Sequence, residues 1–266
     1  MYGFLSEILS DKKGETEFSC FGTWHLCYLL IVAVVITVVA IYTGKKEKEK
    51  SQKLSTYFLN GAFGLYIADY FLMPFAYGEI DIEKLPFHAC TAMCVMCFLS
   101  RHNAFLKKFR LQFAMLGFVS NLVYLIYPAG LMWYQVHPLS YRVVQTLLFH
   151  SFMTAYGLTV LLFCNERFEW KRCYKDLIVI VCMTLWALLG NTLYNGTAWG
   201  QTCFYNWFFV VRDPFYMLPE HVAPFIMPFV NIIVFFAVEM GAYAVLGAIR
   251  KKLVRRIGTT VNEKEN

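Results

Sequence analysis

Long, uninterrupted apolar runs constrain this chain more than any other feature. Seven can be read, at about residues 24–43, 56–77, 86–100, 110–128, 142–164, 175–195 and 224–249. A helix in a soluble domain carries an apolar stripe with a 3.6-residue period, whereas these runs are apolar all round. Only 16% of residues are charged, against roughly a quarter in soluble domains. Crossing the hydrocarbon core of a bilayer takes about 20 apolar residues of helix. Lipid offers backbone N–H and C=O groups no partners, so each run is expected to be a helix. The fold class expected is all-α: a polytopic membrane protein with seven transmembrane helices. The third run is the shortest, and the first, starting near Trp24, is too long for the apolar part of a signal peptide.

Charge sets the expected orientation. Five lysines follow the first run in GKKEKEKSQK, four basic residues follow the third in RHNAFLKKFR, and four follow the fifth in NERFEWKRCYK. The C-terminal segment opens with RKKLVRR. The alternate connections are poor in Lys and Arg. This asymmetry places the N-terminus outside or lumenal and the C-terminus in the cytosol, with a tail over 1–23, a helical domain over 24–249 and a basic tail over 250–266. It also accounts for the net charge of +6 without a nucleic-acid partner, since basic loops are the ordinary cytosolic anchor. The membrane is the expected partner, in the endoplasmic reticulum or at the plasma membrane.

Ionisable and strongly polar groups inside apolar spans are costly and usually face the interior of a bundle. Here they share one depth. Asp69, His88 with Cys90, Asn121, Gln145 with His150, Asn191 and Asn231 all fall in the outer half of their runs, at 1.5 Å of rise per residue. Glu239 lies deeper and is read apart. Amides commonly join helices to one another, and Asn121 and Asn231 fit that role as well as a functional one. A layer holding Asp, two His and Cys points to chemistry. His150 is the candidate general base. Cys90 is a candidate nucleophile that needs such a base. Asp69 can orient a histidine, and Asn191 or Asn231 can donate to an oxyanion. Cys94 and Cys97 read as small core residues. No second ligand pair is spaced for zinc, and nothing calls for a cofactor.

The connection after Asn195 is aromatic and ends in RDPFYMLPEHVA, which suits the membrane interface. Asp213-Pro214 is a turn signal. Arg212 is a candidate for a phosphate or carboxylate head group, or the partner of Asp213 or Glu220. Asn195-Gly-Thr197 is a formal glycosylation sequon. Cys20 and Cys203 fall on the outer side, where a disulfide can form. Other seven-span classes find little support. The third run lacks Asp-Arg-Tyr, and the last lacks both Asn-Pro-x-x-Tyr and the lysine that retinal requires. A passive lipid- or solute-binding or transport role stays open, without a sign of an inverted repeat.

Taken in order, LPFHACTAM, FRLQFAMLGFVSNLVYLIYP, LLFHSFM and RDPFY resemble the transmembrane protein 164 family, which is related to bacterial YwaF-type integral membrane proteins. The resemblance covers about residues 55–249. It implies a lipid acyltransferase that moves an acyl chain onto an ether phospholipid, with a phospholipid or fatty-acyl substrate. His88 and His150 match the family's histidines. In the resembling animal acyltransferases the nucleophilic cysteine immediately precedes the first histidine; here that position is Phe87. Cys90 lies three residues on, sharing a helix face with position 87. Either Cys90 replaces the thiol, or His150 activates a lipid hydroxyl directly.

Overall fold

A computed structural model describes residues 17–44, 48–76, 78, 80–132, 136–163, 168–195 and 205–262. All regular structure among them is helical. The long helices are α1 (Thr23–Gly44), α2 (Lys48–Ala76), α3 (Ala89–Leu99), α4 (Arg110–Ile126), α5 (Tyr141–Phe163), α6 (Tyr174–Tyr194) and α7 (Ala223–Asn262). One helix stands on each apolar run. Three regions, Tyr141–Phe163, Trp170–Tyr194 and Ala223–Lys252, are long and apolar enough to cross a membrane. At 11 residues, α3 rises only about 16 Å, well short of a hydrocarbon core of about 30 Å. The backbone before it, residues 80–88, is mostly irregular, with one 3-10 turn at Ile82–Lys84. In the other direction, α7 runs beyond its apolar part into the basic segment as far as Asn262.

Helix α5 forms the axis of the bundle. It is buried along most of its length, from Arg142 to Leu162, and packs against α2 and α4, with α3 packed chiefly on α4 and α2. Small residues permit the approach. A Cβ on Gly157 would lie 2.6 Å from Phe118 Cβ and 2.9 Å from the Ala114 carbonyl oxygen. Such close backbone contact is how helices adhere where lipid removes the hydrophobic drive. The core here holds Met93, Cys94, Cys97, Met115, Leu116, Met153 and Tyr156, so Cys94 and Cys97 are buried side chains.

Helix α1 docks differently. Beyond its first turns it presents Leu30, Ile31, Val34, Val35 and Val38 outward, an exposed apolar stripe. Its start is fastened by His25, a residue the sequence reading passed over. The ring is fully buried. Nδ1 accepts the Phe21 N–H at 2.9 Å, and Nε2 donates to the Leu125 carbonyl at the end of α4, at 2.8 Å.

Candidate active site

Segment 80–88 is lashed down by a polar network at the end of the bundle where α3 starts. Asp69 on α2 accepts the Tyr141 hydroxyl at 2.9 Å and pairs with Lys84 at 3.2 Å. Arg142 on α5 pairs with Asp81 at 3.2 Å, and Asp81 caps the turn through the Glu83 N–H. The Tyr66 and Tyr70 hydroxyls both reach the Lys84 carbonyl, at 3.1 and 2.9 Å. The sequence reading set Asp69 beside a histidine; its carboxylate goes to Lys84 and Tyr141 instead.

The histidine's partner is an amide. His150 on α5 and Asn121 on α4 meet at 2.7 Å, Nδ1 to Oδ1. Asn121 Nδ2 donates to the Gly117 carbonyl at 2.6 Å, which fixes the amide's orientation. Its oxygen therefore faces the ring, so Nδ1 carries the proton and Nε2 keeps its lone pair. Tyr124 stacks on the ring at 3.9 Å, while Phe149 meets it edge-on. His150 is buried, with Lys84 and His88 within electrostatic reach.

His88 carries the opposite tautomer. It is the N-cap of α3, with an extended backbone and no side-chain cap bond. Its Nδ1 accepts the Phe208 N–H at 3.3 Å, so Nε2 bears the proton and is a donor. Cys90 follows in the first turn of α3 and is half-buried. Backbone N–H groups at a helix start stabilise an anion there. Tyr66 and Tyr124 both lie within electrostatic reach of Cys90, and Tyr124 is the ring stacked on His150.

Phe87 packs rather than reacts. It stacks with Trp186 at 4.9 Å and touches Trp207 and Tyr194. A Cβ on Gly190 would stand 2.4 Å from its ring.

Asn191 and Asn231, expected to bind substrate, hold a loop. Asn191 Nδ2 donates to the Ala187 carbonyl at 2.8 Å and to the Trp207 carbonyl at 3.1 Å. Its Oδ1 accepts the Trp207 N–H at 3.1 Å. Asn231 Nδ2 donates to the Phe208 carbonyl, and Trp207 Nε1 to the Glu83 carbonyl at 3.1 Å. Three polar side chains from three helices thus satisfy the main chain of Trp207 and Phe208. Phe208 is left-handed, at φ 56, so no helix could serve it. Non-helical backbone in a membrane protein is tolerated only when buried in protein and bonded in this way.

Beyond the clasp the loop is exposed chiefly at Arg212 and from Pro214 to Met217, while Val210 and Asp213 stay buried. Asn206 Oδ1 accepts the Val211 and Arg212 N–H groups. Arg212 is exposed. Asp213 accepts the N–H groups of Phe215, Met217 and Leu218, at 2.7–2.9 Å. The Phe215 N–H bond, helped by the other two, holds its carboxyl below the ordinary carboxylate range. Gln145 is buried and accepts the Thr146 hydroxyl at 3.3 Å. Asn195 brackets Tyr205 through both its N–H and its carbonyl. Thr197 and Cys203, the residue that could pair with Cys20, lie outside the described residues. Among the described residues, no group of three or more His, Cys, Asp or Glu is placed to hold a metal.

Apolar helices long enough to span and irregular backbone bonded inside a helical bundle define an integral membrane protein of the helical, polytopic class. A family model for the TMEM164 family matches residues 20–246, and the chain belongs to that family. Neither the curated proteins nor the solved structures include a significant match.

Proposed function

We propose that this protein is a membrane-embedded acyltransferase that moves a fatty acyl chain between phospholipids, with Cys90, His150 and His88 as its reacting groups. The observation that carries the reading is the pair of opposed imidazoles. Asn121 leaves His150 with a free lone pair on Nε2, and the Phe208 N–H leaves His88 with a donor on Nε2. A base and an electrophile are the two functions acyl transfer needs. Cys, His and Asn also form a recurrent constellation for acyl chemistry on unrelated folds.

His150 Nε2 removes the Cys90 thiol proton, and the thiolate attacks the ester carbonyl of the donor lipid. Charge builds on the carbonyl oxygen, where His88 Nε2–H and the first amides of α3 supply donors. The tetrahedral intermediate collapses to a thioester, and His150 returns the proton to the departing lysolipid oxygen. The acceptor lipid's hydroxyl then gives its proton to His150 and attacks the thioester. Cys90 leaves and recovers its proton.

The topology proposed with this reading has seven membrane-crossing elements, α3 completed by the clasped segments, with the N-terminus outside or lumenal. The site then lies in the outer or lumenal half, in the endoplasmic reticulum or plasma membrane. Arg212, exposed beside the Asp213 turn, is proposed to meet the lipid head group.

Phe87 supports a second reading. The position where the resembling enzymes keep a thiol is here a packed aromatic, which fits a protein that binds lipid without transferring its chain. One experiment separates the two. Iodoacetamide labelling at Cys90 that disappears in His150→Ala, together with acyl transfer lost in both His150→Ala and Cys90→Ala, supports the enzyme. Unlabelled Cys90 with full lipid binding supports the binder.

A further inference from the structure

A second polar cluster lies at the opposite end of the bundle. Asp176 stands in the first turn of α6 and Gln112 in the first turn of α4, nine residues before Asn121. Glu239 comes from the middle of α7, which packs on both helices. All three are at least nine-tenths buried: Asp176 is 0% exposed, Glu239 1% and Gln112 4%. The Asp176 and Glu239 carboxyls lie within hydrogen-bonding reach of each other, and Gln112 is within reach of Asp176. Tyr243, one turn beyond Glu239, donates its hydroxyl to Asp176 Oδ1 at 2.9 Å, and Phe168 stacks over the Tyr243 ring.

Four oxygens here have no hydrogen-bond partner: Asp176 Oδ2, both carboxyl oxygens of Glu239, and Gln112 Oε1. Neither carboxyl forms an ion pair with Lys or Arg among the described residues. Arg110, at the start of α4, lies within electrostatic reach of the Tyr156 hydroxyl. Two adjacent carboxylates away from water are costly unless something positive joins them. A shared proton joins only two oxygens and would leave Gln112 Oε1 and one oxygen of Glu239 unserved. A metal cation can take carboxylate and amide oxygens together. The donors are oxygens alone, which selects a hard cation over zinc or copper. Two carboxylates match a charge of +2.

We propose that Asp176, Glu239 and Gln112 form a binding site for a hard divalent cation, of the Mg²⁺, Ca²⁺ or Mn²⁺ kind, with the Tyr243 hydroxyl closing one side. The ion ties the start of α6 to α4 and α7, and offsets the like charges that α6 and α7 bring together here. It lies apart from Cys90 and His150, so this site and the acyl-transfer reading stand or fall separately.

The test uses full-length protein purified in detergent and stripped of metal, with thermal unfolding followed as MgCl₂, CaCl₂ or MnCl₂ is added at fixed ionic strength. At least one ion should raise Tm saturably, by about 5 °C or more at high occupancy. Glu239→Gln and Gln112→Leu should abolish the rise. Cys90→Ala should keep it, whatever becomes of acyl transfer. If Glu239→Gln does not yield folded protein, Mn²⁺ retained by dialysed wild-type protein, read by electron paramagnetic resonance and displaced by Mg²⁺ or Ca²⁺, takes its place. Three outcomes overturn the proposal: no ion shifts Tm, NaCl shifts it equally, or acidification alone reproduces the rise in metal-free protein. The last identifies a shared proton.

Discussion

Asn121→Ala tests the catalytic reading where it is most exposed. The substitution removes the oxygen that accepts the His150 Nδ1 proton at 2.7 Å and leaves Tyr124 stacked on the ring. His150 is buried, so in the productive tautomer its Nδ1–H is orphaned. A buried donor without a partner costs about 1–3 kcal/mol. At 1.4 kcal/mol per tenfold, the productive tautomer falls by about 5- to 150-fold. Turnover should fall by the same factor, whereas His150→Ala removes the base and should cost about 10²–10⁴-fold. Asn121→Asp keeps an oxygen acceptor at the same place and should hold turnover within about tenfold of wild type. The assay is transfer of a fluorescent acyl chain between lipids in proteoliposomes, normalised to folded protein. Wild-type turnover in Asn121→Ala would falsify the base assignment. So would an Asn121→Asp protein no better than Asn121→Ala, because the loss would then come from packing rather than from the acceptor.

Asn191→Leu strips two bonds from the Trp207 clasp and should lower stability by about 1–3 kcal/mol; protease cleavage within residues 205–222 should then quicken, and an unchanged cleavage rate refutes the clasp. Asp213 has its carboxyl held below the ordinary range by backbone N–H bonds. Its contribution to the loop is therefore full above the unfolded value of about 3.9 and fades as pH falls through the lower folded value. Asp213→Asn should flatten that dependence in the same proteolysis assay between pH 5 and 3. A reporter fused at the C-terminus should respond as cytosolic; a lumenal response would overturn the orientation and the outer-half placement of the site together.

The helices were legible because lipid leaves the backbone no alternative, and each apolar run carries one. The ends were less so. Helix α3 begins at Ala89, after His88, because residues 80–88 find partners in Tyr66, Tyr70, Asp69 and Arg142, none of which sequence spacing reveals. Helix α7 continues into RKKLVRR because helical hydrogen bonds outlast the apolar pattern. Polar residues at a common depth marked His88, Cys90, His150, Asn121, Asn191 and Asn231 as interior, but depth does not assign partners. Charge favoured Asp69 as the orienting group. Packing gave the place to Asn121, because Gly157, seven residues along α5 from His150, admits Phe118 and Ala114 of α4. That close approach sets Asn121 against the imidazole. Tyr124 was missed as one aromatic among many. Gln112 and Asp176 were missed because they start their helices beside basic residues, where a polar side chain looks solvated.

The Phe208 N–H bond to His88 has a thermodynamic corollary. An imidazolium has no lone pair on either nitrogen. His88 therefore cannot take up a proton while the Trp207–Phe208 clasp is closed. Anything that pulls the clasp away makes protonation of His88 easier, and by reciprocity protonation of His88 loosens the clasp to the same extent. Exposed residues such as Phe215, Tyr216 and Met217 ride on that loop, so a force applied at its tip is felt as a change in basicity at the mouth of α3.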